Sequence, residues 1–216
     1  LVFAPSGNGY INDADVNDRV TPAYAGDGTT ILGWTYIAAD GDSTERYDAN
    51  GKLLTITTRG GNTRQITYSS GASNDTSAGR YPATAPICPN IQPGPPLPAG
   101  QLLCVTNTWG RQIQFEYDNQ GRISKALDPN GQAYLYAYDG PSGGCTTFSG
   151  DTSNLACTAN NLTSVTYPDS TTRTYYYNEA AQINNGAACA NMTVIGNGFG
   201  HLRNALSGIV DETGAR

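Results

Sequence analysis

The stretch from Gln112 to Gly140, QIQFEYDNQGRISKALDPNGQAYLYAYDG, leaves little freedom over secondary structure. Ile113, Phe115 and Tyr117 alternate with Gln112, Gln114 and Glu116. The run breaks at Asn119-Gln120-Gly121 and resumes over Arg122 to Leu127. A second break, Asp128-Pro129-Asn130-Gly131, leads into Tyr134-Leu135-Tyr136-Ala137-Tyr138. Alternate residues of a strand face opposite sides, and Gly accepts the positive φ of a tight reversal. The pattern therefore predicts antiparallel hairpins in a β-meander.

The same pattern occurs seventy positions upstream: Asp48, Gly51, Gly61 and Tyr68 fall under Asp118, Gly121, Gly131 and Tyr138, and Lys52-Leu53 under Arg122-Ile123. Two weaker copies follow. Val165 to Asn178 keeps a strand, a turn proline and a terminal Tyr177; Leu206 to Arg216 keeps Asp211-Glu212-Thr213-Gly214. Self-similarity at a fixed offset is the mark of a repeat architecture, in which each unit buries its apolar face only with its neighbours.

Tyr47-Asp48-Ala49-Asn50-Gly51-Lys52-Leu53 and Tyr117-Asp118-Asn119-Gln120-Gly121-Arg122-Ile123 resemble the YD repeat, Y-D-x-x-G-R-L, of bacterial RHS proteins. The likeness covers about residues 34 to 216. Such proteins wind YD repeats into a β-sheet that spirals into a hollow shell around a toxic domain. The resemblance thus implies an all-β chain of repeated antiparallel hairpins in one curved, spiralling sheet. It also implies a structural segment of the shell of a secreted polymorphic toxin, with no activity of its own. Its partners would be the rest of its parent polypeptide, further repeats and the toxin cargo. The family's self-cleaving closing segment and a toxin domain are not among these 216 residues.

By this reading residues 1–33 are a turn-rich lead-in, and repeats cover about 34–69, 105–139, 161–178 and 205–216. Insertions cover about 70–101, 140–160 and 179–204. Each insertion begins just after Tyr68, Tyr138 or Tyr177, so in one stacked sheet all three leave by one edge and form a decorated rim. The first holds seven prolines between Pro82 and Pro98. Two readings stand: a polyproline segment docking on an aromatic groove, or a stiff excursion tied to the scaffold. Its place between two repeats favours the second.

Cys88, Cys104, Cys145, Cys157 and Cys189 lie inside or beside the insertions, outside any clear repeat strand. Pairing Cys88 with Cys104 and Cys145 with Cys157 would close loops of roughly 12 to 16 residues, each worth about 3 kcal/mol through lost unfolded-state entropy. Such bonds imply an exported, oxidising environment and leave Cys189 unpaired. A metal site is the rival reading, but no Cys-x-x-Cys exists and the single His201 is remote in sequence.

The net charge of −6 and the absence of a basic run argue against nucleic acid. No apolar stretch is long enough to span a bilayer as a helix, and no signal peptide is visible. The chain ends inside a turn, which suggests a piece of a longer polypeptide with open sheet edges prone to self-association. Catalysis by a histidine-based triad would need His201, which has no nucleophile elbow near it. Paired turn carboxylates remain open for glycosidase chemistry, although Asp at a turn already bonds the backbone two residues on. The acidic run Asn12 to Asp18 lacks the glycine and closing Glu of a calcium loop and reads as solvated. No cofactor, metal or catalytic residue is assigned.

The recurring Tyr residues have two readings. They are sheet packing, as a cross-strand ladder of Tyr68, Tyr138 and Tyr177 with Ile66, Tyr136 and Tyr175, or a sugar-stacking stripe. The second makes the chain a cell-surface adhesin or carbohydrate-binding module with a glycan as partner. The structural expectation therefore rests on Tyr47, Asp48, Gly51, Gly61, Tyr68, Tyr117, Asp118, Gly121, Gly131, Tyr138, Tyr177 and Gly214.

Overall fold

A computed structural model describes residues 4–6, 9–11, 17–71, 79–91, 96–139, 160–177 and 206–216. Among them every regular element is a strand: β1 (Ala4–Ser6), β2 (Gly9–Ile11), β3 (Arg19–Tyr24), β4 (Ile31–Ile37), β5 (Ser43–Asp48), β6 (Leu53–Thr58), β7 (Thr63–Ser69), β8 (Arg80–Tyr81), β9 (Leu102–Asn107), β10 (Gln112–Tyr117), β11 (Ile123–Leu127), β12 (Ala133–Tyr138), β13 (Leu162–Thr166), β14 (Thr172–Tyr177) and β15 (Leu206–Val210). The chain is all-β and follows antiparallel meander order.

Two units can be distinguished, Leu1–Arg122 with Leu127–Gly131, and Ile123–Ala126 with Gln132–Arg216. In the first, strands neighbour one another from β1 to β7 and on through β9 to β10, while the short β8 pairs with β7 off that path. In the second the order is β11 to β15.

The reversals explain why these residues make hairpins. At Asp48 the amide of Gly51 donates to the Asp48 carbonyl at 3.1 Å, and the Asp48 amide donates to the Lys52 carbonyl at 2.9 Å. Asp48 Oδ1 accepts the amides of Asn50 and Lys52 at 2.9 and 2.8 Å. Asp118 repeats this with Gln120 and Arg122 at 2.9 and 3.0 Å. The reversal closes on a residue in the left-handed region, where Gly51 has φ 82° and Gly121 φ 76°; a side chain there strains the backbone. Gly61, Gly131 and Gly214 also sit in turns with positive φ.

A second regularity links successive hairpins. The register slips by one residue just before Tyr24, Tyr47, Tyr68, Tyr138 and Tyr177, which then pair with Ile31, Leu53, Leu102, Leu162 and Leu206. Each slip is a β-bulge that leaves the second residue of the following strand unmatched. The Tyr24 case corrects the expectation that the motif begins at Trp34. Strand β3 pairs with β4 along its length, joined by a loop that Asp27 organises through the amides of Thr29 and Thr30 at 2.9 and 2.8 Å. That loop lacks the Y-D signature, which is why a motif reading stops short of it.

The most buried side chains of the first unit are Leu103, Cys104, Thr67, Cys88 and Ser69. Cys88, Leu97, Leu103 and Cys104 form one cluster, with Ile91 and Tyr117 packed against it. Cys104 therefore lies within β9, not at the margin of an insertion, and that repeat strand starts at Leu102. The bulge opposite Tyr68 hides the register from a plain alternation count.

Candidate functional site

In each unit the insertion-bearing edge is built from the mouths of its own hairpins. The Tyr68 hydroxyl donates to the Leu53 carbonyl at 2.8 Å, Tyr117 to Leu102 at 2.6 Å, and Tyr138 to Ile123 at 2.8 Å. In each case a Tyr at or next to the end of its strand reaches across to the first residue of the partner strand and fastens the open end of the hairpin. The repeated Tyr thus has a local task that ring stacking does not describe. Tyr47 differs, its hydroxyl bonding the Glu45 carboxylate. The described ring pair is elsewhere, Tyr134 and Tyr167 edge-to-face at 6.0 Å.

The insertions leave from these same mouths. The Asp118 amide donates to the Arg122 carbonyl at 2.8 Å, and the Arg122 amide returns to Asp118 Oδ1 at 3.0 Å. Ser69 and Gln101 form the same pair: Ser69 amide to Gln101 carbonyl at 2.8 Å, Gln101 amide to Ser69 Oγ at 2.9 Å. Gly100 donates to the Ser69 carbonyl at 2.9 Å, as Gly121 does to Asp118 at 3.0 Å. In the second unit, Asp139 and Asn161 close likewise at 3.0 and 2.8 Å. Ser69 through Gln101 and Asp139 through Asn161 are therefore YD-type turns split by inserted chain. Alternate reversals of a meander share an edge. In the first unit the split turn lies on the edge of the Asp48 and Asp118 turns; in the second, Asp139–Asn161 and Tyr177–Leu206 share one edge.

The split turns are not legible along the sequence. The signal was present, since Tyr68-Ser69 and Gly100-Gln101-Leu102 are the two halves of one motif. Chain separation conceals it, because a motif search reads along the sequence and the turn closes in space.

The described residues 86–91 and 96–98 of the first insertion lie over one face of β7, β9 and β10. Thr67, Cys104 and Gln114 are cross-strand neighbours in register, as are Gln65, Thr106 and Gln112. Thr67 Oγ1 donates to the Pro86 carbonyl at 2.9 Å, Gln112 Nε2 to Ile87 at 2.8 Å and Ser69 Oγ to Pro98 at 2.5 Å. The Asn90 amide donates to Gln114 Oε1 at 2.9 Å. Proline has no amide N–H, so a proline-rich segment presents carbonyls that strand hydroxyls and amides can satisfy. The Cys88–Cys104 disulfide fixes the segment to β9.

At its start the insertion meets the first YD turn. The Tyr81 hydroxyl donates to Asp48 Oδ2 at 2.6 Å, and Lys52 Nζ lies 4.3 Å from the Tyr68 ring centre and 3.4 Å from the Gly100 carbonyl. Burial raises the Asp48 pKa, yet the Tyr81 hydroxyl and the amides of Lys52 and Asn50 outweigh it and hold the carboxyl below its ordinary value. At Asp118 burial is likewise outweighed, there by the Arg122 amide and guanidinium, the latter 2.7 Å from Oδ2. Burial pushes the Tyr117 hydroxyl up to about 12. Tyr68 is raised by burial and by the Asp48 charge.

Tyr177 ends β14, and Gly214 closes the turn Asp211–Ala215 through its amide to the Asp211 carbonyl at 3.0 Å. Cys145, Cys157, Cys189 and His201 lie outside the described residues. Among the described residues no group of three or more His, Cys, Asp or Glu is placed to hold a metal ion, and no helix is long and apolar enough to cross a membrane.

Residues 98–133 match the family model of the RHS repeat. No curated protein matches the chain. The matched segment runs from the end of the first insertion through the Tyr117-Asp118 turn to Gly131, the reversals whose hydrogen bonds recur along the chain. The match marks residues 98–133 as an RHS repeat, and the turn geometry of that segment recurs in other described reversals of the chain.

Proposed function

We propose that this chain is a structural segment of the wall that encloses the toxic domain of a secreted bacterial polymorphic toxin, and that it acts by shape, without catalysis. The carrying observation is the use made of its recurring polar side chains. The carboxylates of Asp48 and Asp118 are bound to turn amides, and the hydroxyls of Tyr68, Tyr117 and Tyr138 to strand carbonyls. Groups committed to their own backbone hold a sheet in register, and they have little left for a substrate or a sugar. RHS repeats are typical of secreted and cell-surface proteins, which fits an exported wall.

Limited proteolysis of the parent polypeptide tests the reading. A downstream domain should resist protease in the intact protein and become sensitive when Gly51 and Gly121 are both replaced by Val. Equal digestion of the two forms would overturn it. Binding of the purified chain to a glycan array would instead favour a surface adhesin or carbohydrate-binding module.

A further inference from the structure

We propose that the Cys88–Cys104 disulfide is a one-way latch: once the first insertion has docked, the bond is shielded from thiols and holds the insertion on the sheet in a reducing medium too. Cys88 is 1% exposed and Cys104 0%, and Leu97, Leu103, Ile91 and Tyr117 pack around them. Reduction proceeds by thiol–disulfide exchange. A thiolate attacks one sulfur in line with the S–S bond, a mixed disulfide forms and the other cysteine leaves as a thiolate. A second thiol of the reductant then displaces the first cysteine and carries away the oxidised pair.

In-line approach needs an open path, and both sulfurs belong to buried residues. Exposure requires the described residues 81–91 and 96–100 to lift. They are held by Thr67 on Pro86, Gln112 on Ile87, Asn90 on Gln114 and Ser69 on Pro98, and at the two ends by Tyr81 on Asp48 and Lys52 on Gly100. The contacts that shield the bond are those that the bond keeps close together. Bond and docking therefore stabilise each other, and neither opens first at low cost.

The bond must then form while the insertion is undocked or docking, and it survives transfer out of the compartment where it formed. The Thr67, Gln112 and Gln114 side chains beneath the insertion stay covered, so this part of the face is closed to any partner.

The test uses the oxidised full chain incubated with dithiothreitol, with timed alkylation and mass-spectrometric counting of the peptides that carry Cys88 and Cys104. The same reaction is run in denaturing urea. Native reduction should be slower on the order of 100-fold or more, the signature of exchange gated by local opening. Thr67→Val and Gln114→Ala should each speed native reduction by about tenfold through loss of one tie, and leave the rate in urea unchanged. Thr67→Ser, which retains the hydroxyl, should restore the slow rate, with circular dichroism checking each fold. Native and denatured rates within a few-fold of each other, or folded Thr67→Val and Gln114→Ala chains reduced as slowly as the parent, would overturn the latch.

Discussion

The Tyr117 hydroxyl rests on the Leu102 carbonyl, 2.6 Å away across the mouth of the β9–β10 hairpin. Tyr68 and Tyr138 make the same bond to Leu53 and Ile123, each fifteen residues earlier in the chain. A hairpin is tied at its turn by ladder bonds and frays at its open end. A phenol that reaches the first carbonyl of the partner strand closes that end and covers part of its ring in doing so.

Removing the hydroxyl leaves that carbonyl without its partner. Tyr117→Phe should lower unfolding stability by about 1 to 2 kcal/mol in urea denaturation. Tyr24→Phe is the control, because Tyr24 is exposed, and should change it by less than about 0.5 kcal/mol.

Alkali probes the burial of the same phenol. Tyr117 has a folded pKa raised to about 12 by burial, above the ~10 of a free phenol. Its contribution is complete below about pH 10 and is lost as pH climbs from there through the folded value. Stability of the parent should fall over that window, and Tyr117→Phe should flatten the fall; parallel pH curves would refute the assignment.

Acid acts through the turns. Asp48 and Asp118 are held below the ordinary carboxyl pKa of ~3.9, so their contribution is full above that value and is lost as pH drops through the lower folded values. Asn107 performs the same turn duty without a charge, its Oδ1 accepting Trp109 and Arg111 amides at 3.0 and 2.9 Å. Asp118→Asn should therefore keep the turn, lose the Arg122 ion pair and reduce acid sensitivity. Asp118→Ala should cost about 1 to 2 kcal/mol, as loss of a backbone-capping side chain does elsewhere. Denaturant titrations at neutral and acid pH separate the two.

Ser170 occupies the left-handed position of the Tyr167–Thr171 turn with φ 70°, where other turns have glycine. Relief of that strain is partly offset by the greater freedom of glycine in the unfolded chain. Ser170→Gly should raise stability by roughly 0.5 to 1 kcal/mol. A lower melting temperature would show that Ser170 is held by something its backbone does not reveal.

If Ser69 and Gln101 are the halves of one turn, residues 70–99 are removable. Joining Ser69 through Asn-Gln to Gly100, with Cys104→Ser, should leave a folded β-rich chain, because beside Leu103 the uncovered face carries Thr67, Thr106, Gln112 and Gln114, which water can solvate. Loss of the β signal in circular dichroism would show that the insertion is needed to fold.

The alternation of Ile113, Phe115 and Tyr117, the Asp-x-x-Gly reversals and the offset of seventy residues settled strand, turn and repeat in advance, because side-chain period and left-handed glycine are local properties. What tertiary structure alone decided was everything that depends on closure in space. It decided that Tyr24 and Ile31 extend the pattern upstream, that Cys104 sits within a strand, and that Ser69 finds Gln101 to complete a turn interrupted by residues 70–99. It also decided what the phenols do. A hydroxyl's partner fifteen residues away is chosen by register and bulge, and these are fixed by the pairing of whole strands.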